Sequence, residues 1–135
     1  VARYQSRISG PLMDRIDLHV EVASVAADEL LKAPPGESTP AIRARVQAAR
    51  ARAVARQGTP NQALQGQQID QHALLDPAAS QFLQTAAARL GWSGRATHRA
   101  LKVARTIADL AGASHTQVTH VAEAVQYRRS LQARS

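Results

Sequence analysis

Two groups of charged residues have types and spacings that could support chemistry, and the first surrounds Arg15. Asp14 and Asp17 flank this arginine, and an alternating apolar run follows it. The pattern predicts a short helical turn from Pro11 to Arg15 that leads into a strand from Ile16 to Val22. Arg15 would then stand at a junction, where its guanidinium could project from the edge of a domain toward an anion.

The second group lies on a helix predicted from about Gly94 to Ala111. At about 100° per residue, Arg95, Arg99 and Lys102 fall within roughly 40° of one another on one face. Three neighbouring cations repel each other unless an anion sits among them, so this face is suited to phosphate. Arg105 and Asp109, four residues apart, are expected to form a local surface ion pair worth tenths of a kcal/mol.

A third basic set flanks the narrow apolar stripe of a helix predicted from Thr39 to about Gln57. Such a stripe lets a peripheral helix dock while its charges stay in water. A solvated surface is the favoured interpretation, and a surface that tracks DNA is the other. The set comprises Arg43, Arg45, Arg50, Arg52 and Arg56.

The sequence lacks several motifs that an autonomous nucleotide hydrolase or metalloenzyme would need. It contains no Gly-x-x-x-x-Gly-Lys-Ser/Thr loop for phosphates and no apolar strand that ends in paired acids for Mg²⁺. There are no cysteines, and the five histidines show no metal-ligand spacing. The chain is therefore expected to hold no metal and to be unable to hydrolyse a nucleoside triphosphate by itself.

The elements that must position these residues are mainly helical. The 44% hydrophobic content includes only 3% aromatics, which favours closely packed helices with small aliphatic side chains. We predict a loose segment 1–37 with a remnant strand at about 16–22, and a helical domain 38–135. Asn61 to Asp70 is expected to be irregular, with a turn at Gln71 to Leu75 and Trp92 as a core anchor. The four predicted helices are 39–57, 77–90, 94–111 and 119–131, the last with Thr119 as its cap and Val121, Ala124, Val125 and Leu131 facing inward.

The overall charge indicates which kinds of partner the chain is expected to bind. The net charge of +7 favours phosphate, in a nucleotide or in a nucleic-acid backbone. No apolar run reaches the ~18 residues of a membrane span, and no signal segment is apparent, which fits a cytoplasmic protein.

Three segments resemble magnesium chelatase-like AAA+ ATPases, in particular their competence-associated ComM type. They are Gly10–Val22 (GPLMDRIDLHVEV), Ser93–Leu110 (ending in ARTIADL) and His120–Arg128 (HVAEAVQYR). The resemblance implies that Arg15 is an arginine finger acting on a neighbouring subunit's nucleotide, with Arg7 as a weaker alternative. It also implies that Arg99, in the RALK match, is the lid's phosphate sensor for the subunit's own nucleotide, with Arg95 as runner-up.

The resemblance further implies the setting in which these residues act. The chain would be the C-terminal lid of a longer protein that uses ATP and Mg²⁺, inert and monomeric alone, and partnered by its own ATPase core and by neighbouring subunits of a hexameric ring. Competence-related members would act on DNA, by translocation or branch migration. The alternative is a free-standing basic helical module that binds nucleic acid through the five arginines of the 39–57 helix.

Overall fold

The computed structural model describes Leu12 and residues 15–132, with side chains described as far as Arg128. This part of the chain is mainly helical and contains no β-sheet, which confirms the predicted fold class. A 3₁₀ turn, Asn61–Ala63, connects the second and third helices. The helices are α1 Ala27–Lys32, α2 Thr39–Gln57, α3 Gln67–Ala73, α4 Pro77–Leu90, α5 Gly94–Leu110 and α6 Val118–Gln132.

Helix α5 lies at the centre of the bundle and contacts α2, α3 and α6, while α6 also packs on α4. Four alanines at every fourth position of α5 are almost fully buried: Ala96, Ala100, Ala104 and Ala108. Side chains this small let neighbouring helices approach closely. The core is therefore built from small aliphatic residues, as the composition predicts.

Side-chain caps define where three of the long helices begin. Ser38, Asp76 and Ser93 each accept a hydrogen bond from the backbone N–H three residues later, at the starts of α2, α4 and α5. Gly58, with φ of +82°, and Gly91, with φ of +65°, end α2 and α4 in the left-handed conformation. The predicted bounds of α2 and α4 are confirmed. The Thr39-Pro40 pair predicts Thr39 as the cap of α2, but Ser38 is the cap and Thr39 is the first residue of the helix.

Helix α3 and the preceding 3₁₀ turn contradict the prediction of an irregular stretch. Leu64, Ile69 and Ala73 are buried in the core, so this short segment contributes a packed layer against α5. The sequence of α3, QQIDQHA, carries just two residues that bury there. Its helical conformation is therefore stabilised by tertiary packing, which a polar local sequence does not reveal.

The strand predicted at Ile16–Val22 is wrong: residues 16–26 have no regular secondary structure. A strand needs a partner, and none lies beside this segment among the described residues. Val20 and Val22 are 67% and 90% exposed. Of the predicted turn, Leu12 and Arg15 are helical, whereas Pro11, Met13 and Asp14 lie outside the described residues. Helix α1, which the sequence did not predict, is exposed throughout.

Helix α6 begins at Val118, so Thr119 lies inside it and is not its cap. Just before the helix, the Gln117 N–H donates to Nδ1 of His120 at 3.0 Å. The inward-facing residues Val121, Ala124 and Val125 are buried as predicted; the Leu131 side chain lies outside the described ones. Trp92 is half-buried and packs against the core.

Candidate functional site

The structure brings Arg99 of α5 into contact with the segment that carries Arg15. Nη1 of Arg99 donates to Oδ1 of Asp17 at 2.7 Å and to the backbone carbonyl oxygen of Arg15 at 3.1 Å. The Arg99 side chain is 24% exposed and that of Asp17 is 54% exposed. The two arginines singled out from the sequence therefore meet through the backbone of one and the guanidinium of the other.

Helix α6 holds the same segment from a second side. Nη1 of Arg128 donates to the carbonyl oxygen of Ile16 at 3.4 Å, and the His19 N–H donates to the carbonyl oxygen of Tyr127 at 3.2 Å. Arg128 is buried, with its guanidinium carbon 5.9 Å from the centre of the Trp92 ring. Burial, with the nearby Arg128 charge, lowers the pKa of His19. Residues 15–19 therefore contact both α5 and α6.

The predicted cationic face of α5 exists, but its members have different surroundings. Nζ of Lys102 donates to the carbonyl oxygen of Gln62 at 3.0 Å. Arg95 is exposed and makes no hydrogen bond or ion pair with any residue from 15 to 132. The mutual repulsion of these cations predicts an anion among them, and the Asp17 carboxylate, which pairs with Arg99, is such an anion.

The five arginines of α2 do not form one open basic surface. Arg56 binds both carboxylate oxygens of Asp109, at 2.9 and 3.0 Å, and Nη1 of Arg52 donates to the backbone carbonyl of Asp109 at 2.6 Å. Arg45 forms an exposed ion pair with Glu37. Within the described part of the chain, two of the five are exposed without a hydrogen bond or ion pair: Arg43 and Arg50.

The Arg105–Asp109 ion pair forms as predicted, but it is not on the surface. Both side chains are at most 2% exposed, with Nη2 of Arg105 donating to Oδ1 of Asp109 at 2.8 Å. Nδ2 of Asn61 donates to Oδ2 of Asp109 at 2.9 Å. Burial by itself would raise the pKa of Asp109. The hydrogen bonds from Arg56 and Asn61 and the charge of Arg105 lower this pKa by more than burial raises it, so the net pKa lies below its usual range.

This buried cluster, which we call the Asp109 network, joins α2, the 3₁₀ turn and α5. A helical wheel of α5 alone places Arg105 and Asp109 on the polar half of this helix. The wheel cannot show that α2 and the 3₁₀ turn pack against that half. The prediction of a weak surface pair was wrong for this reason.

Sites for a metal or for membrane insertion were also sought among the described residues. Between Arg15 and Arg128, no three His, Cys, Asp or Glu side chains come together as a metal site would need. No helix in the described part of the chain is long and apolar enough to cross a membrane.

Comparisons with known proteins match almost the whole chain. Residues 36–128 match the family model for the C-terminal part of magnesium chelatase subunit ChlI, and residues 1–30 match the model for magnesium chelatase subunit ChlI itself. The chain is 39% identical over 129 residues to competence protein ComM of Haemophilus influenzae. It is 40% identical over 127 residues to the uncharacterized protein YifB of Salmonella typhimurium. It is 36% identical over 133 residues to the uncharacterized protein Mb2921c of Mycobacterium bovis. These alignments cover 95%, 93% and 95% of this chain but 25%, 25% and 26% of the relatives, so it spans about a quarter of their length.

Proposed function

Because this chain belongs to the magnesium chelatase family, we propose that it supplies the lid and the nucleotide-directed arginines of an AAA+ ATPase. Helices α2–α5 and the part of α6 up to Arg128 fall within the match to the C-terminal family model, and Arg15 falls within the match to the ChlI model. The observation that carries the proposal is the contact of Arg99 with residues 15–17, because it joins these two matched regions at the predicted arginines.

The chemistry proposed for Arg15 is stabilisation of charge on a transferring phosphoryl group. Catalysis of such transfer relies on positioning and on electrostatic stabilisation of the γ-phosphate oxygens, and an arginine supplied by a neighbouring subunit is one way to provide both. Arg15 is exposed, whereas its backbone is anchored by Arg99. Its guanidinium is thus accessible to a nucleotide held elsewhere, while its position is fixed.

ATP is the proposed substrate, with Mg²⁺ bound alongside it. The chain has no phosphate loop and no metal site among its described side chains, so the triphosphate and Mg²⁺ would be held by other parts of the protein or by another subunit. We place the arginines in a ring of subunits, where a finger from one protomer meets the nucleotide of the next. DNA is the proposed target of the motor, by analogy with the competence-associated relative.

The test is ATP turnover by the full-length protein with Arg15→Ala or Arg99→Ala. Loss of a trans-acting arginine should lower kcat by roughly 10³-fold or more for Arg15→Ala. Loss of Arg99 should also lower kcat, because the lid would no longer be coupled to the nucleotide site. Arg89→Ala, at an exposed position of α4, is the matched control and should retain turnover. Undiminished turnover by both test variants would refute the proposal.

The alternative function is nucleic-acid binding by the chain alone, through the arginines of α2. The inward contacts of Arg52 and Arg56 count against it, since they leave few open cations on that helix. Each phosphate contact contributes about −0.9 to the slope of log K against log salt for duplex DNA. Binding by the isolated chain with a slope of about −4 or steeper, reduced by Arg43→Ala and Arg50→Ala, would favour this alternative.

A further inference from the structure

We propose that Arg99 acts on hydrolysis through Arg15, by an ion pair with Asp17 that fixes the arginine-bearing segment to the lid. Arg99 and Asp17 are then positioning residues, and Arg15 is the group that meets the phosphate. The inference rests on the proposed function, since it assigns the route by which the lid controls the same site.

The contact has the geometry of a clamp on the backbone of Arg15. A single nitrogen, Nη1 of Arg99, bonds the Asp17 carboxylate at 2.7 Å and the Arg15 carbonyl at 3.1 Å, two acceptors that lie two residues apart. A charge-assisted bond together with a backbone bond fixes both place and orientation. The clamp holds the main chain of Arg15 and leaves its side chain exposed.

The remaining contacts make the segment part of the lid. Arg128 bonds the Ile16 carbonyl at 3.4 Å, and the His19 amide bonds the Tyr127 carbonyl at 3.2 Å. Backbone or side-chain atoms of residues 15, 16, 17 and 19 are therefore held by α5 and α6 together. A rotation of these helices would carry Arg15 with it, so the position of the lid would set the position of the finger.

A direct contact between Arg99 and phosphate makes the opposite prediction for Asp17. In that case Asp17 competes with the phosphate for the guanidinium, and removing its charge should free Arg99 and leave turnover equal or higher. If Arg99 acts through the clamp, removing either partner should impair turnover in the same way. The two routes therefore differ in the sign of the Asp17 effect.

The experiment measures kcat and KM for ATP in the full-length protein with Asp17→Asn, with Arg99→Gln, and with both substitutions together. A displaced finger should lower kcat by about 10- to 100-fold in each single variant. KM should stay nearly constant, because the nucleotide is bound elsewhere. The double variant should lose no more than the more impaired single variant, because the two substitutions break the same contact. Glu37→Gln, which breaks the exposed pair with Arg45, is the control and should have no effect.

A second readout on the 135-residue chain is independent of turnover. Hydrogen exchange at the His19 amide should accelerate in Asp17→Asn and Arg99→Gln, while exchange in the middle of α5 stays unchanged. That pattern separates release of the segment from loss of the fold. Unchanged exchange at His19 in Asp17→Asn would overturn the proposal.

The outcomes also separate this inference from the proposed function. Impaired turnover in Arg99→Gln with equal or higher turnover in Asp17→Asn would show that Arg99 acts directly at the nucleotide, which overturns the clamp and leaves the proposed function intact. Full turnover in Arg99→Gln would overturn the clamp, and full turnover in Arg15→Ala as well would also overturn the proposed function.

Discussion

At the scale of single residues, Asp109 is a buried charge that is hydrogen-bonded by three other side chains. Its carboxylate accepts hydrogen bonds from Arg56, Arg105 and Asn61, and its backbone carbonyl accepts one from Arg52. Taking a carboxylate out of water is unfavourable unless each lone pair finds a donor. The Asp109 network meets that requirement from three separate elements, so it also fixes how they pack.

Removing the carboxylate should therefore destabilise the chain strongly. Asp109→Ala leaves Arg105 buried without its anion, and we expect a loss of about 3–5 kcal/mol in the free energy of unfolding. Urea unfolding followed by circular dichroism measures it. Glu37→Ala, which removes the acid of an exposed ion pair, is the comparison and should leave the free energy of unfolding nearly unchanged. Equal effects of the two substitutions would contradict the role given to Asp109.

At the scale of elements, helix α2 depends on the conformation of the glycine that ends it. Gly58 has φ of +82°, and a Cβ placed there would meet no atom within 4 Å. A substitution at this position therefore acts through backbone strain alone and not through a steric clash.

Gly58→Ala should lower the free energy of unfolding by about 1–2 kcal/mol. Gly94→Ala is the matched control, because Gly94 lies in the first turn of α5, has an ordinary φ and also has free space around its Cβ position. There the substitution should be neutral or stabilise by up to about 1 kcal/mol. The measurement is the same urea titration, and destabilisation by both alanines would refute the conformational explanation.

Features whose signal lies within a few residues of sequence were predicted correctly, and features that depend on residues distant in sequence were not. The bounds of α4, and the α2 end at Gln57, were predicted correctly because proline, capping side chains and glycine act within a few residues. Helix α3 and the burial of Arg105 were missed because both depend on neighbours distant in sequence. Asp109 meets Asn61 across 48 positions.

The candidate site shows the same division. Arg15 and Arg99 were selected from motifs, but their meeting joins residues 84 positions apart and has no local signature. Apolar and polar residues do alternate over residues 16–22, which is why a strand was predicted there. Such alternation shows which side chains a sheet would bury, but it does not supply the neighbouring strand that a sheet needs.

At the scale of the whole molecule, the docking of residues 15–19 on the bundle should depend on pH. Burial and the Arg128 charge lower the pKa of His19, so its protonation opposes docking. Docking should be complete above the ordinary histidine pKa and should weaken as the pH falls toward and through the lowered value.

An NMR titration from about pH 7.5 to about pH 5.5 measures this through the protection of the His19 amide, corrected for intrinsic exchange. His19→Gln cannot take up the proton and should remove the pH dependence. If protection instead rises as the pH falls, His19 gains its proton in the docked state and the assignment is wrong.

The alanines along α5 give the bundle a mechanical property. Ala96, Ala100, Ala104 and Ala108 allow neighbours so close that α5 cannot bend without opening voids along its length. Helix α5 is about 25 Å long and other helices pack against several of its sides, so it should move as one rigid body. A displacement of α5 near Asp109 should therefore also move Arg99, because both residues lie on the same helix.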